Sequence, residues 1–453
     1  MKRAFKIITQ KVMIKQRVLL DTAKTNNFNQ VKIKTLLSGF YLLLFFSCAE
    51  KKTDFSDSLL RQKKEVITAG NENEIPPAFL ALPPGAVTPD GWIKDWSETA
   101  LSGITGHLDE WSPTYGEAWK GIGFKAEGAN EEDGTGWPLE QSSYWLDGAV
   151  RLAYIMKDTV LIRKVSERLD LVVNGVLDGG ETFIYWKPGS FLGKDGFNNW
   201  AHSHMGRALD AYYQATGKQR ILDALVKVYS DYQVPVFRNS FAGVSGTVNI
   251  DPMLDTYLMS GNKKVLEQVL KVASDSLFIN VANNWIKGNI NNGHGVITYE
   301  NIRVPAQLYP WTGNKELLQA SLSFFDWLDR NHTLPCGVAS SEEHNAGIGS
   351  TRNIETCNVA ASAYSYQKMY EITGNSSWGD RIEQVFFNAA PVPVARDFQT
   401  MSYYQSLNKV QDVIPGEIPH TPGRGESSYI FRPLGHEVLC CVGNLNRVIP
   451  NYI

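Results

Sequence analysis

The chain has 453 residues, 43% hydrophobic and 20% charged, a globular composition long enough for one large domain or two smaller ones. Its formal net charge of -3, with acidic and basic residues interspersed, gives no field to gather nucleic acid or anionic lipid, and points to a neutral partner. Aromatic residues make up 11% of the chain, which suits stacking on sugar faces and suits an ordinary core equally well.

Lys32 and Lys34 precede an apolar run from Thr35 to Ser47, which ends at Cys48 and passes into Ala49-Glu50-Lys51-Lys52. A bilayer span needs roughly 20 apolar residues and a signal-peptide core about 7 to 15, so the run reads as a signal core, with a buried helix as the alternative. Phe45-Phe46-Ser47-Cys48 resembles the lipobox of bacterial lipoproteins, with Phe45 where leucine is usual. That resemblance implies a signal segment over 1–48, a lipidated Cys48, and an exported chain anchored in the bacterial envelope, periplasm or outer membrane, by its lipid alone. Residues 49–75 are polar and read as a flexible tether, leaving 76–453 as the folded domain.

The middle of the chain repeats. Tyr154, Tyr213, Tyr257, Tyr309 and Tyr370 each stand four residues before a turn residue, Asp158, Gly217, Gly261, Gly313 and Gly374. Glycine there supplies a left-handed helix terminus, with the next helix soon after. Ile221-Leu222-Leu225-Val226-Tyr229 and Val265-Leu266-Val269-Leu270-Val272 follow helical spacing, and the intervals between glycines leave room for two helices and two connections. Five such hairpins, with a sixth available from segment 85–145, predict an all-α fold: a closed (α/α)6 barrel or a solenoid, with irregular loops and short strands at one end. The tyrosines are core packing. Gly103 to Gly136 and Asn283 to Gly293 are loops able to shape a cleft.

Apart from Cys48, four cysteines remain, Cys336, Cys357, Cys440 and Cys441. Disulfides are the ordinary expectation in an exported protein, but adjacent cysteines such as Cys440 and Cys441 rarely bridge each other because the ring is strained. Glu355 and Cys357 stand two residues apart and could share an ion if the backbone there is extended or opens a helix. With Cys440 and Cys441 they make a set of one oxygen and three sulfurs that favours Zn2+ by softness and geometry. Zinc, disulfides and unligated thiols all stay open on spacing alone.

Several segments together resemble the β-L-arabinofuranosidases of glycoside hydrolase family 127 and their relatives. They are Ser203-His204-Met205-Gly206-Arg207-Ala208-Leu209, His294-Gly295-Val296, Arg303-Val304-Pro305-Ala306, Ser341-Glu342-Glu343-His344, Asn353-Ile354-Glu355-Thr356-Cys357 and Cys440-Cys441-Val442-Gly443-Asn444-Leu445-Asn446-Arg447. The last is similar to the family's Cys-Cys-x-x-Asn-x-x-Arg, and the order matches over roughly residues 85 to 453.

The resemblance implies that 76–453 is an α/α-barrel catalytic domain in which Glu355, Cys357, Cys440 and Cys441 hold zinc and Cys440 is the nucleophile. It further implies Glu343 as acid/base, with the adjacent Glu342 as the competing choice, and His204 and His294 as contacts to sugar hydroxyls, each with a satisfied core histidine as the plain alternative. The family continues past the cysteine pair into β-sandwich domains that have no counterpart here, so the resemblance predicts a shortened last helix. The expected function is retaining hydrolysis of a terminal β-L-arabinofuranosyl or related sugar from a glycan. The competing expectation is an inactive glycan-binding surface lipoprotein with a structural zinc, and a uronate lyase on the same barrel lacks the positive cleft its substrate would want.

Overall fold

The computed structural model describes residues 55–69, 75–112, 115, 137–183, 199–234, 245–407, 432–433 and 439–453. Cys48 and the signal segment lie outside them. Among the described residues the fold is helical: α1 Phe55–Thr68, α2 Gly91–Ser102, α3 Ile104–Trp111, α4 Trp137–Met156, α5 Thr159–Leu177, α6 Asn199–Thr216, α7 Gln219–Asp231, α8 Ile250–Ser260, α9 Lys263–Ala273, α10 Ser276–Ile286, α11 Gly295–Ile302, α12 Val304–Thr312, α13 Lys315–Asn331, α14 Thr356–Thr373, α15 Ser376–Asn388, α16 Leu439–Leu445 and α17 Val448–Tyr452.

Burial sorts the helices into two layers. On α7 only one stripe is buried, Ile221, Leu222, Ala224, Leu225, Val228 and Tyr229, the pattern of a helix with one face to water. On α6 and α14 nearly every residue is buried, the pattern of a helix enclosed on all sides. The enclosed helices α4, α6, α8, α11 with α12, α14, and α16 with α17 pack in sequence, and α16 and α17 return against α4, closing an inner ring. The half-buried α5, α7, α9, α13 and α15 wrap it. This is the (α/α)6 barrel.

Its turns are built as their glycines predict. Gly217, Gly261, Gly313 and Gly374 adopt φ of +65 to +66°, where a Cβ is penalised, and their N–H groups close on the tyrosine carbonyls four residues back. The first repeat differs: Lys157 takes the left-handed conformation, and Asp158 accepts from the Leu161 N–H as the N-cap of α5.

The expected tether needs correction. Within 49–75 the structure has α1, because Phe55, Leu59, Lys63 and Val66 share one face and pack on the barrel. Lys63 is buried and donates to Gln214 Oε1 at 3.0 Å.

The barrel interior is ionic as well as apolar. Arg207 lies 3.3 Å from Asp147, 3.7 Å from Asp251 and 3.7 Å from Glu300, with its guanidinium 3.5 Å above the Tyr364 ring. Burial opposes ionisation of Asp147, but Arg207, Arg151 and Arg447 outweigh it and hold the carboxyl well below its usual range. No described helix is long and apolar enough to cross a membrane.

Candidate active site

Short strands position several of the candidate site residues. Strands β1 Ser341–Glu342 and β2 His344–Asn345 pair Ser341 with Asn345 and Glu342 with His344, which leaves Glu343 at the hairpin tip with φ of +69°. A left-handed glutamate is strained, and such strain is found where a side chain must be aimed. The hairpin is pinned by the Gly295 N–H, 2.8 Å from the Glu343 carbonyl. A Cβ on Gly295 would come within 2.5 Å of both Asn358 and Ser341, so glycine is required for that approach.

Strand β3, Asn353–Glu355, runs directly into α14, so Glu355 is the residue before the helix and Cys357 lies in its first turn. That is the extended-to-helix junction the Glu-x-Cys spacing called for. Strand β4, Tyr404–Ser406, pairs with β3 and sets Tyr404 opposite Glu355, while the Thr356 N–H donates to the Tyr403 carbonyl at 2.9 Å. The first turn of α16 presents Cys440 and Cys441.

One ligand atom from each of Glu355, Cys357, Cys440 and Cys441 lies within 4.8 Å of all the others. The described cysteines are free thiols, with Cys357 and Cys441 sulfurs 3.2 Å apart, and Cys336 is buried as a lone thiol in the core. The disulfide expectation therefore fails among the described residues. Thiol donation from Cys357 and Cys441, helped by Tyr403, holds the Cys440 thiol well below its ordinary range, whereas burial pushes Cys357 and Cys441 up. Three sulfurs and a carboxylate converging on one point fit a thiophilic divalent cation such as zinc.

Glu343 faces this cluster. Its Oε1 accepts from Tyr403 at 2.7 Å and Tyr404 at 3.1 Å, and its Oε2 lies 3.2 Å from His294 Nε2. His294 caps α11 by accepting the Ile297 N–H at Nδ1, which leaves its proton on Nε2 for Glu343. Glu342 points elsewhere, to Asn353 at 3.0 Å and Arg352 at 3.9 Å. The hairpin thus separates two adjacent glutamates, and it is Glu343, the one the family resemblance favours over Glu342, that faces the cluster.

His204 is an interior residue. It is fully buried on α6, with Nδ1 at 3.0 Å from the Trp200 carbonyl and Nε2 at 3.8 Å from Glu300, and burial lowers its pKa to about 4. Nothing in the sequence singles out Tyr403 and Tyr404, since a tyrosine pair at the start of a three-residue strand carries no local signal.

Residues 107–453, more than three quarters of the chain, match the family model described as β-L-arabinofuranosidase, GH127 catalytic domain. The chain belongs to the GH127 family. No curated relative matches the sequence. Among solved structures, this GH127 chain is similar to Ara127N-Se, a GH127 β-L-arabinofuranosidase from Geobacillus stearothermophilus T6, at 16% identity and a TM-score of 0.61, covering 80% of this chain and 64% of that one. It is also similar to the GH127 β-arabinofuranosidase BT3674, at 17% identity and a TM-score of 0.58, covering 83% and 61%. A structure titled glycoside hydrolase matches at 15% identity and a TM-score of 0.54, over 81% and 59%. At these identities the likeness is one of fold, and this GH127 chain spans 59–64% of the length of those structures.

Proposed function

We propose that this GH127 chain is a retaining glycoside hydrolase with Cys440 as nucleophile and Glu343 as acid/base, acting on terminal β-L-arabinofuranosyl or closely related units of glycans. The observation that carries the reading is Tyr403, one hydroxyl in contact with both Glu343 and Cys440. A single hydroxyl spanning the two supports the close spacing of a retaining pair, below the roughly 6.5 Å that inverting enzymes keep open for water.

Cys440 attacks the anomeric carbon as the bond to the leaving oxygen breaks, and Glu343 delivers a proton to that oxygen. Glu343 then takes a proton from water, which attacks the same carbon and releases the sulfur as thiolate. Two inversions give net retention. Glu355, Cys357, Cys440 and Cys441 would hold zinc, which when bound keeps its sulfur ligands as thiolates at neutral pH. His294, at the rim beside Glu343, would bind a sugar hydroxyl. His204, sealed in the barrel, we assign to the wall behind the site in place of the sugar contact expected of it.

We further propose export and anchoring through a lipidated Cys48, with an uncharged carbohydrate as the partner. The test is release of free sugar from an aryl β-L-arabinofuranoside by the purified chain and its Glu343→Gln and Cys440→Ser variants. Release by the parent and loss in both variants is expected. Sugar binding without release by the parent would instead indicate a glycan-binding protein with a structural metal site.

A further inference from the structure

One side chain touches the sulfur cluster from the barrel interior. Asn444 stands one helical turn after Cys440 on α16, fully buried, with Nδ2 at 3.3 Å from Cys357 Sγ and 3.2 Å from the Cys440 carbonyl. Its Oδ1 lies 2.6 Å from Arg447 Nη1. A guanidinium has donors only, so the amide oxygen must face Arg447 and both amide hydrogens must face the cysteines. The orientation of the N–H toward sulfur is thereby set by chemistry and has no low-energy alternative.

Arg447 is itself held on its other edges. Its Nε lies 3.2 Å from Asp147 on α4, and its Nη2 lies 3.1 Å from Glu300 on α11. Asp147 and Glu300 also pair with Arg207, and Glu300 pairs with Arg303 at 2.5 Å. The ionic interior of the barrel thus ends in one neutral donor aimed at one sulfur.

We propose that Asn444 is a positioning residue for the thiolate cluster, locked by Arg447 so that its N–H is held on the Cys357 sulfur and draws charge from that ligand, not from Cys440. A carboxylate and three thiolates outweigh a divalent cation in charge, and hydrogen bonds to the sulfurs offset the excess. Placing the donor on Cys357 makes the three sulfurs unequal before any substrate arrives. The proposal rests on the metal–thiolate reading of the site, and its test separates the two.

The test is cobalt(II) loading of the chain and of Asn444→Ala, Asn444→Ser and Arg447→Lys, followed through the sulfur-to-cobalt charge-transfer absorption. A band in the parent supports the metal site, and its absence there sinks that reading itself. Given a parent band, Asn444→Ala and Arg447→Lys are expected to shift it in the same direction and to weaken cobalt binding about 10- to 100-fold. Asn444→Ser, which keeps a shorter donor, is expected to fall between. Should Asn444→Ala fail to fold, Arg447→Lys and Asn444→Ser carry the comparison. An unmoved band and unchanged cobalt affinity in the folded variants would overturn the role of Asn444 while leaving the metal site standing.

Discussion

The phenol oxygen of Tyr403 stands 3.2 Å from the sulfur of Cys440. The same oxygen is 2.7 Å from Glu343, and burial raises its pKa well above the ordinary phenol value, so it keeps its single proton at working pH. One proton cannot be given to both neighbours at once. A proton gained by Glu343 therefore frees the phenol to turn to sulfur. Tyr403→Phe is expected to lower kcat about 10- to 100-fold, the worth of a hydrogen bond to a charged partner, with little change in KM. Steady-state kinetics check this, and a kcat within twofold of the parent would remove Tyr403 from the mechanism.

The hairpin tip predicts that the two adjacent glutamates respond differently. Glu343→Gln should cut kcat by about 10²- to 10⁴-fold, as loss of general acid–base catalysis does, while Glu342→Gln changes it about threefold or less. Equal losses in both variants would contradict the assignment.

Metal analysis of the purified chain is expected to find one zinc per chain. Cys357→Ser and Cys441→Ser should lose that zinc and melt at lower temperature, because a ligand bound only by the folded state adds its binding free energy to stability. Chelator treatment should reproduce the shift in the parent, and a melting curve indifferent to chelator would argue against the site.

His202 and His204 are both buried, and burial lowers each pKa from an ordinary 6.5 to about 4. Between those values the unfolded chain binds protons that the folded chain refuses. Stability is therefore whole above pH 6.5 and falls as the pH drops toward 4, by at most about 3 kcal/mol for each histidine. Denaturant unfolding at a series of pH values should show this acid limb, and His202→Gln should flatten part of it. A profile level from pH 7 to 4 would contradict the burial of both rings.

Arg207 joins Asp147, Asp251 and Glu300 in the sealed barrel interior. Arg207→Met removes one partner from three buried carboxylates and should cost about 3 to 5 kcal/mol of stability, read as a lower denaturation midpoint. Replacement within about 1 kcal/mol of the parent would mean that the remaining arginines suffice.

The helical repeat, the glycine turns and the Glu-x-Cys and Cys-Cys pairs were legible in the sequence because each is local. Gly261 needs only its own backbone to end α8, and Glu355 and Cys357 need only a strand-to-helix junction to point one way. The polar composition of 49–75 reads as a tether and hides the helix at Phe55–Thr68, although Phe55, Leu59 and Val66 carry helical spacing. Tertiary structure alone decided the rest. Glu343 is distinguished from Glu342 by a turn and by tyrosines 60 residues away, His204 is sealed by neighbouring helices, and Arg447 meets Glu300 across 147 residues. A local pattern records what the backbone of a few residues prefers. Which distant side chain completes a hydrogen bond depends on how the ring of helices closes, and no short stretch of sequence holds that information.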